Sequence, residues 1–248
     1  MSNFNSGEVQ NTDVILKSKI NLARNLDKIP FPCRMSNELR KTICKKIFAS
    51  IQNSKFGGEF DYVDLSAKND LDKRILADKG LITQEMAQQT LYCAVLVSKD
   101  EKMSIMLCEE EHMILNIICD GADIKKAYDI ADKIDNIIIS DLKIAFDNKL
   151  GFLTSNPMHL GSGMKASYLL YLPAITVTNM DAKLTGMVSK LGFELKPMFD
   201  GNNYLYELSN NISMGISEEN AIDNLTAVCS LIVKQEYSIR ENTNWVRG

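Results

Sequence analysis

The run TLYCAVLVSKDEKMSIMLCEEEHMILNIICD, residues 90–120, constrains the fold of this chain more than any other stretch. It holds three short apolar segments, and FDYVDL (60–65) places a fourth just upstream. Segments of this length, broken by short polar runs, read as strands, and KDEK between the first two of the run is a hairpin-length connection. Helical periodicity lies outside this block, so strands are grouped and helices gathered elsewhere. That order, in place of alternating βαβ units, predicts an α+β fold with an antiparallel sheet flanked by helices.

After a polar tail to residue 12, NELRKTICKKIFASIQ sets Leu39, Ile43, Ile47 and Ile51 four apart, the stripe of a one-sided helix. KFGGEF breaks that pattern. Helical spacing returns through Ile124, Ala127, Ala131, Ile134 and Ile138, with Gly121 marking the break from the preceding strand. MKASYLLYL (164–172) reads as a short helix ended by Pro173, and another helix runs from Asp181 to Gly192, a residue suited to a left-handed cap. FELKPMF and YLYELS form a hairpin across DGNN. Ser217 caps the last helix, with Glu218 and Glu219 at the positive end of its dipole.

The 248 residues are 45% hydrophobic and 24% charged, with net charge -4 and no clustered basic stripe, which argues against a nucleic-acid partner. No apolar run approaches the ~20 residues of a membrane span, and no basic-apolar leader follows Met1, so a cytoplasmic protein without membrane contact is expected. Cys33, Cys44, Cys93, Cys108, Cys119 and Cys229 lack a CxxC and read as reduced thiols. With His112 and His159 the only histidines, no metal site is expected.

Three places carry candidate chemistry. CEEEH (108–112) puts three carboxylates in a row at a strand end, where repulsion costs energy unless cations or a functional site offset it. SNPMHLGSGMKAS (155–167) offers two glycines that free the backbone to approach a ligand and sets Lys165 just inside a helix N-terminus, a geometry able to hold phosphate. SKINLARN (18–25) sets Lys19 and Arg24 among asparagines. Taken singly, each is also what a solvated face looks like. Neither GxxxxGK[ST] nor GxGxxG is present, so P-loop and Rossmann readings fall away.

In this order and spacing the three segments resemble the ATP:guanido phosphotransferases, most closely the bacterial protein arginine kinases. SKINLARNLDKIPFP is similar to SxRxRLARN, CEEEHMI to NEEDHxR, and GFLTSNPMHLGSGMKASYLLYLPAI to GYLTxCPTNxGTGLRASVxxHLPAL. SNNISMGISEENAIDNL is similar to SNxxTLGxSE. The resemblance implies a disordered tail (1–12) and a guanido kinase-like catalytic domain (13–248) whose first part (13–60) is a reduced helical region. It implies no C-terminal phosphoarginine-reading domain here.

The family clamps nucleotide phosphates with arginines, whose planar guanidinium gives bidentate donors, while a glutamate orients and deprotonates the guanidine. Carried over, the clamp positions are Lys19, Asn21, Ile114, Lys165 and Lys196, none of them arginine, and the reactive cysteine is replaced by Asn156. The loop after Lys196 is shortened. Glu109 and Glu110 keep the carboxylates, and Arg24 matches an arginine of structural character. Losing one preorganised donor costs roughly 3 to 4 kcal/mol of barrier. The resemblance therefore implies a pseudokinase acting by protein binding or regulation, with no required cofactor and weak MgATP or MgADP binding. Its partner would be an active arginine kinase, an adaptor or a second copy. The alternative is an active ATP-dependent protein arginine kinase using Lys19, Lys165 and Lys196 as clamp and Glu109 or Glu110 as base.

Overall fold

The computed structural model describes residues 13–198 and 204–242; the expected tail (1–12) and the DGNN turn (200–203) lie outside them. Ten strands and seven helices follow in the order β1 (Ile15–Arg24), α1 (Asn37–Gln52), β2 (Phe60–Asp64), α2 (Asp70–Asp78), α3 (Gln84–Ala87), β3 (Ala94–Ser98), β4 (Met103–Leu107), β5 (Met113–Asp120), α4 (Ile124–Asp141), β6 (Phe146–Asp147), β7 (Gly151–Phe152), β8 (Met164–Tyr171), α5 (Pro173–Val177), α6 (Asp181–Lys190), β9 (Phe193–Pro197), β10 (Leu205–Asn210) and α7 (Glu218–Asn242). Eight strands form one antiparallel sheet in the order β2-β3-β4-β5-β1-β8-β10-β9, and β6 and β7 pair separately.

Helices α1, α4, α5, α6 and α7 collect on one face because their apolar stripes need the sheet to cover them. In α4, Ile124, Ala127, Ala131, Ile134 and Ile138 are all buried, each isoleucine contributing roughly 1.5 to 3 kcal/mol. They join Ile20 and Leu22 of β1, Leu115 and Ile117 of β5, and Ile232 of α7 in the main core. The opposite face carries a smaller apolar cluster at one end, where Leu81, Ile82 and Met86 cover Ala23, Val95, Met106 and Ile114.

Two expectations are corrected here. Residues 13–60 are not a helical region: they hold one long helix, α1, and begin with β1, which sits between β5 and β8 inside the sheet. The cause is alternation of period two, with Ile20 and Leu22 buried on the helix side and Lys19 and Asn21 on the other. MKASYLLYL is likewise a strand, β8: Met164, Ala166, Tyr168 and Leu170 alternate into the main core. Its dense apolar run fits either period, and Pro173 opens α5 instead of closing a helix. Short α2 and α3, capped by Asn69 and Thr83, were not foreseen. Gly192 does follow α6 with φ +84°.

Candidate active site

Register across β5, β1, β8, β10 and β9 builds the site, since directly paired residues project to the same face of a sheet. Ile118, Lys19, Ser167 and Ser209 form one such row, and Lys17, Leu169, Glu207 and Lys196 the next. Asn116, Asn21 and Lys165 form a third, followed by Ile114 opposite Ala23. Lys19, Asn21, Ile114, Lys165 and Lys196, which lie on four different strands, therefore share one face.

That face is open at one end and sealed at the other. A cleft of about 430 Å³ is lined by Lys17, Lys19, Thr83, Glu85, Lys196 and Glu207. Lys165 Nζ lies 4.0 Å and Lys196 Nζ 3.7 Å from Glu207 Oε2, and Lys196 is 3.9 Å from Glu194. Burial pushes the Lys19 ammonium down against the pull of Glu207. Burial also pushes the Glu207 carboxyl up, but Lys165, Lys19 and Lys196 outweigh it and hold it below its ordinary value. Ile114, only 7% exposed, is sealed in the smaller apolar cluster, so the structure separates it from the open cleft. Asn21 Oδ1 is buried and has no hydrogen-bond partner among the described residues. The α2–α3 connection docks on the same face, where Asn116 Nδ2 and Ser104 Oγ donate to the carbonyls of Gly80 and Leu81.

The acidic run forms the turn between β4 and β5, closed by the Cys108 N–H bond to the His112 carbonyl, with Cys108 at φ +56°. Its four polar side chains have separate tasks. Glu109 accepts from Thr83 Oγ1 at 2.7 Å, and burial pushes its carboxyl up. Glu110 is exposed and accepts from Asn156 Nδ2 at 3.2 Å. Glu111 is fully buried and accepts from Asn25 Nδ2, Ser155 N and Asn156 N. His112 accepts the Leu26 N–H at Nδ1 (2.9 Å), leaving Nε2 to donate to the Pro30 carbonyl (2.8 Å). Glu111 and His112 thus anchor the turn to the segment after β1, while Glu109 and Glu110 are left toward the site. Their functional signal in the sequence was adjacency to the two retained glutamates. Ligand atoms of Glu110, Glu111 and His159 lie within 4.8 Å of one another, but both Glu111 oxygens already accept hydrogen bonds.

The glycine-rich loop serves the fold. A Cβ at Gly163 would stand 2.5 Å from Arg24 Nη1 and 2.7 Å from the Ala23 carbonyl, and one at Gly161 2.5 Å from the Ser213 carbonyl. These glycines let backbone approach backbone, and Lys165 stands on β8, a correction to its expected place at a helix N-terminus. Arg24 is structural: it pairs with buried Asp135 at 2.7 Å, donates to the Ala23 and Ser162 carbonyls and stacks on Phe152 with its Cζ 3.5 Å from the ring centre.

The antiparallel sheet flanked by helices is the fold of guanidino kinases. A duplicated taurocyamine kinase from Schistosoma mansoni, solved with bound transition state analog components, superposes with TM-score 0.84 at 18% identity, over 95% of this chain and 35% of that one. A lombricine kinase superposes with TM-score 0.79 at 16% identity, over 92% and 68%. The sequence model of the ATP:guanido phosphotransferase C-terminal catalytic domain matches residues 41–239. The chain belongs to that family. Protein-arginine kinases of Clostridium acetobutylicum and Symbiobacterium thermophilum are 33% and 32% identical to it, over 97% of this chain and 72% and 70% of theirs. Among the described residues no helix is long and apolar enough to cross a membrane.

Proposed function

We propose that the chain is a protein arginine kinase-like pseudokinase that acts by binding or regulating another protein. One observation carries this reading: the five family clamp positions share a sheet face, and none is arginine. Asn21 and Ile114 bring no charge, and Lys19, Lys165 and Lys196 place point charges on flexible stems where a fork would hold phosphate. In this reading residues 13–248 work as one unit in the cytoplasm and need no cofactor. MgADP and MgATP bind more weakly than about 10 μM, roughly -7 kcal/mol. The partner is a protein, either an active arginine kinase, an adaptor or a second copy. Exposed Val177, Met187, Leu191 and Leu231 around α5, α6 and α7 supply apolar surface for such a contact.

The retained Glu109 and Glu110 and the open cleft favour a second reading, a slow ATP-dependent protein arginine kinase with a lysine clamp. Incubation with MgATP and an arginine-rich protein separates the two. No phosphoarginine above the level of a Glu109→Gln/Glu110→Gln double variant is expected, and turnover above that background overturns the pseudokinase reading.

A further inference from the structure

The lysines of the cleft converge on a carboxylate that belongs to the protein itself. Glu207 stands on β10 directly opposite Lys196 and Leu169, in the row that runs on through Lys17 to Asp120. Its side chain is 18% exposed, and Lys165 and Lys196 approach the same oxygen, Oε2, from neighbouring strands. Lys19, one row away, feels it as its strongest attractive neighbour. Separations of 3.7 and 4.0 Å exceed hydrogen-bonding distance, so neither ammonium has its donors saturated by this carboxylate. The lysine charge is offset in part, and the ammonium groups keep protons to give.

We propose that Glu207 is a built-in counter-anion, standing toward Lys165 and Lys196 where an incoming phosphate would stand and thereby setting the affinity of the cleft for compact anions. A phosphate entering the cleft finds part of the lysine charge already offset and a like charge within a few ångströms of its own oxygens. Both effects weaken binding, and both act whether the clamp is lysine or arginine. Glu194 also touches Lys196, at 3.9 Å, but its side chain is 42% exposed, so solvent screens it far more. The inference rests on the pseudokinase reading only in taking the cleft as the place of nucleotide phosphates.

The test titrates inorganic pyrophosphate and, separately, MgADP calorimetrically into the full chain, its Glu207→Gln variant and its Glu194→Gln variant. Glu207→Gln should bind both ligands about tenfold more tightly, ~1.4 kcal/mol, and Glu194→Gln less than about threefold. Unchanged affinity in a Glu207→Gln variant whose circular dichroism and melting match the wild type overturns the proposal. An equal gain in Glu194→Gln overturns it too, in favour of net charge alone. Should Glu207→Gln fail to fold, Glu207→Asp, whose carboxylate sits one methylene further from the lysines, should give an intermediate gain, and its absence refutes the inference. Phosphoarginine formation by the wild type would end the pseudokinase reading while leaving the affinity ratio intact, so the two fail separately.

Discussion

Thr83 Oγ1 donates a 2.7 Å hydrogen bond to Glu109 Oε1 while accepting the N–H of Met86, so one hydroxyl both caps α3 and holds a site carboxylate. Thr83→Val keeps the shape and removes the hydroxyl. Loss of the cap should cost ~1 kcal/mol of stability, read from urea midpoints. Burial already pushes the Glu109 carboxyl up, and the Thr83 bond opposes it by favouring the ionised form. The variant should therefore move the Glu109 titration to still higher pH, measured by carboxyl-carbon NMR; a fall would show that the bond does not act on Glu109.

The Arg24–Asp135 pair is buried on both sides, at 2% and 9% side-chain exposure. Asp135→Ala removes the carboxylate hydrogen-bonded to the guanidinium, leaving only Glu218 at 3.7 Å, and should destabilise the fold by about 3 kcal/mol. An Arg24→Met/Asp135→Leu double variant should lose less, because no charge is stranded. Chemical denaturation of both proteins decides whether the pair acts as a unit.

His112 supplies a pH dependence of stability. Burial lowers its pKa, and the neutral ring accepts the Leu26 N–H at Nδ1. An unfolded histidine titrates near ~6.5. A depressed folded value means that the contribution of His112 is fully present above that pH and is lost as the pH falls through the folded value. The stability gap between wild type and His112→Gln should thus shrink on acidification below ~6.5. A constant gap between pH 7.5 and 5 would contradict the assigned tautomer.

Restoring the clamp should succeed at four positions and fail at the fifth. Ile114→Arg drives an unpaired charge into the cluster of Leu81, Ile82 and Met86 and should cost about 3 kcal/mol or more. Arginine at positions 19, 21, 165 and 196 enters or borders the open cleft and should raise MgADP affinity without full turnover. Thermal melts of Ile114→Arg alone, beside calorimetry of the fourfold variant, check both halves.

The four apolar runs around residues 60–120 and the stripe of α4 were legible because periodicity and hairpin length leave few alternatives. β8 was not, because Tyr168, Leu169, Leu170 and Tyr171 fill both faces and hide the period of two. β1 was missed for a different reason, since its pairing partners lie far along the chain. That Lys19, Asn21, Ile114, Lys165 and Lys196 belong together followed from the motif resemblance, but their shared sheet face did not, since β1 and β8 were not legible as strands, and burial of Ile114 depended on α2 and α3, whose short patterns carry little signal. Glu207 lay in no motif. Its position is written only in the register of β10 against β8 and β9.

The position of β1 inside the sheet has a consequence for biosynthesis. This strand leaves the ribosome first, yet Leu22 pairs with Leu115 on one side and Met164 on the other. Those partners emerge about 90 and about 140 residues later, a wait of roughly 5 to 30 s at ordinary elongation rates. Hairpins β3–β4 and β4–β5 can close in the meantime, but the strand that joins the two halves of the sheet has no partner until β5 is made and keeps one edge open until β8 follows. Lys17, Lys19 and Asn21 at alternate positions place charge and polarity on that waiting segment and oppose its aggregation, a service to the nascent chain separate from anything the cleft does.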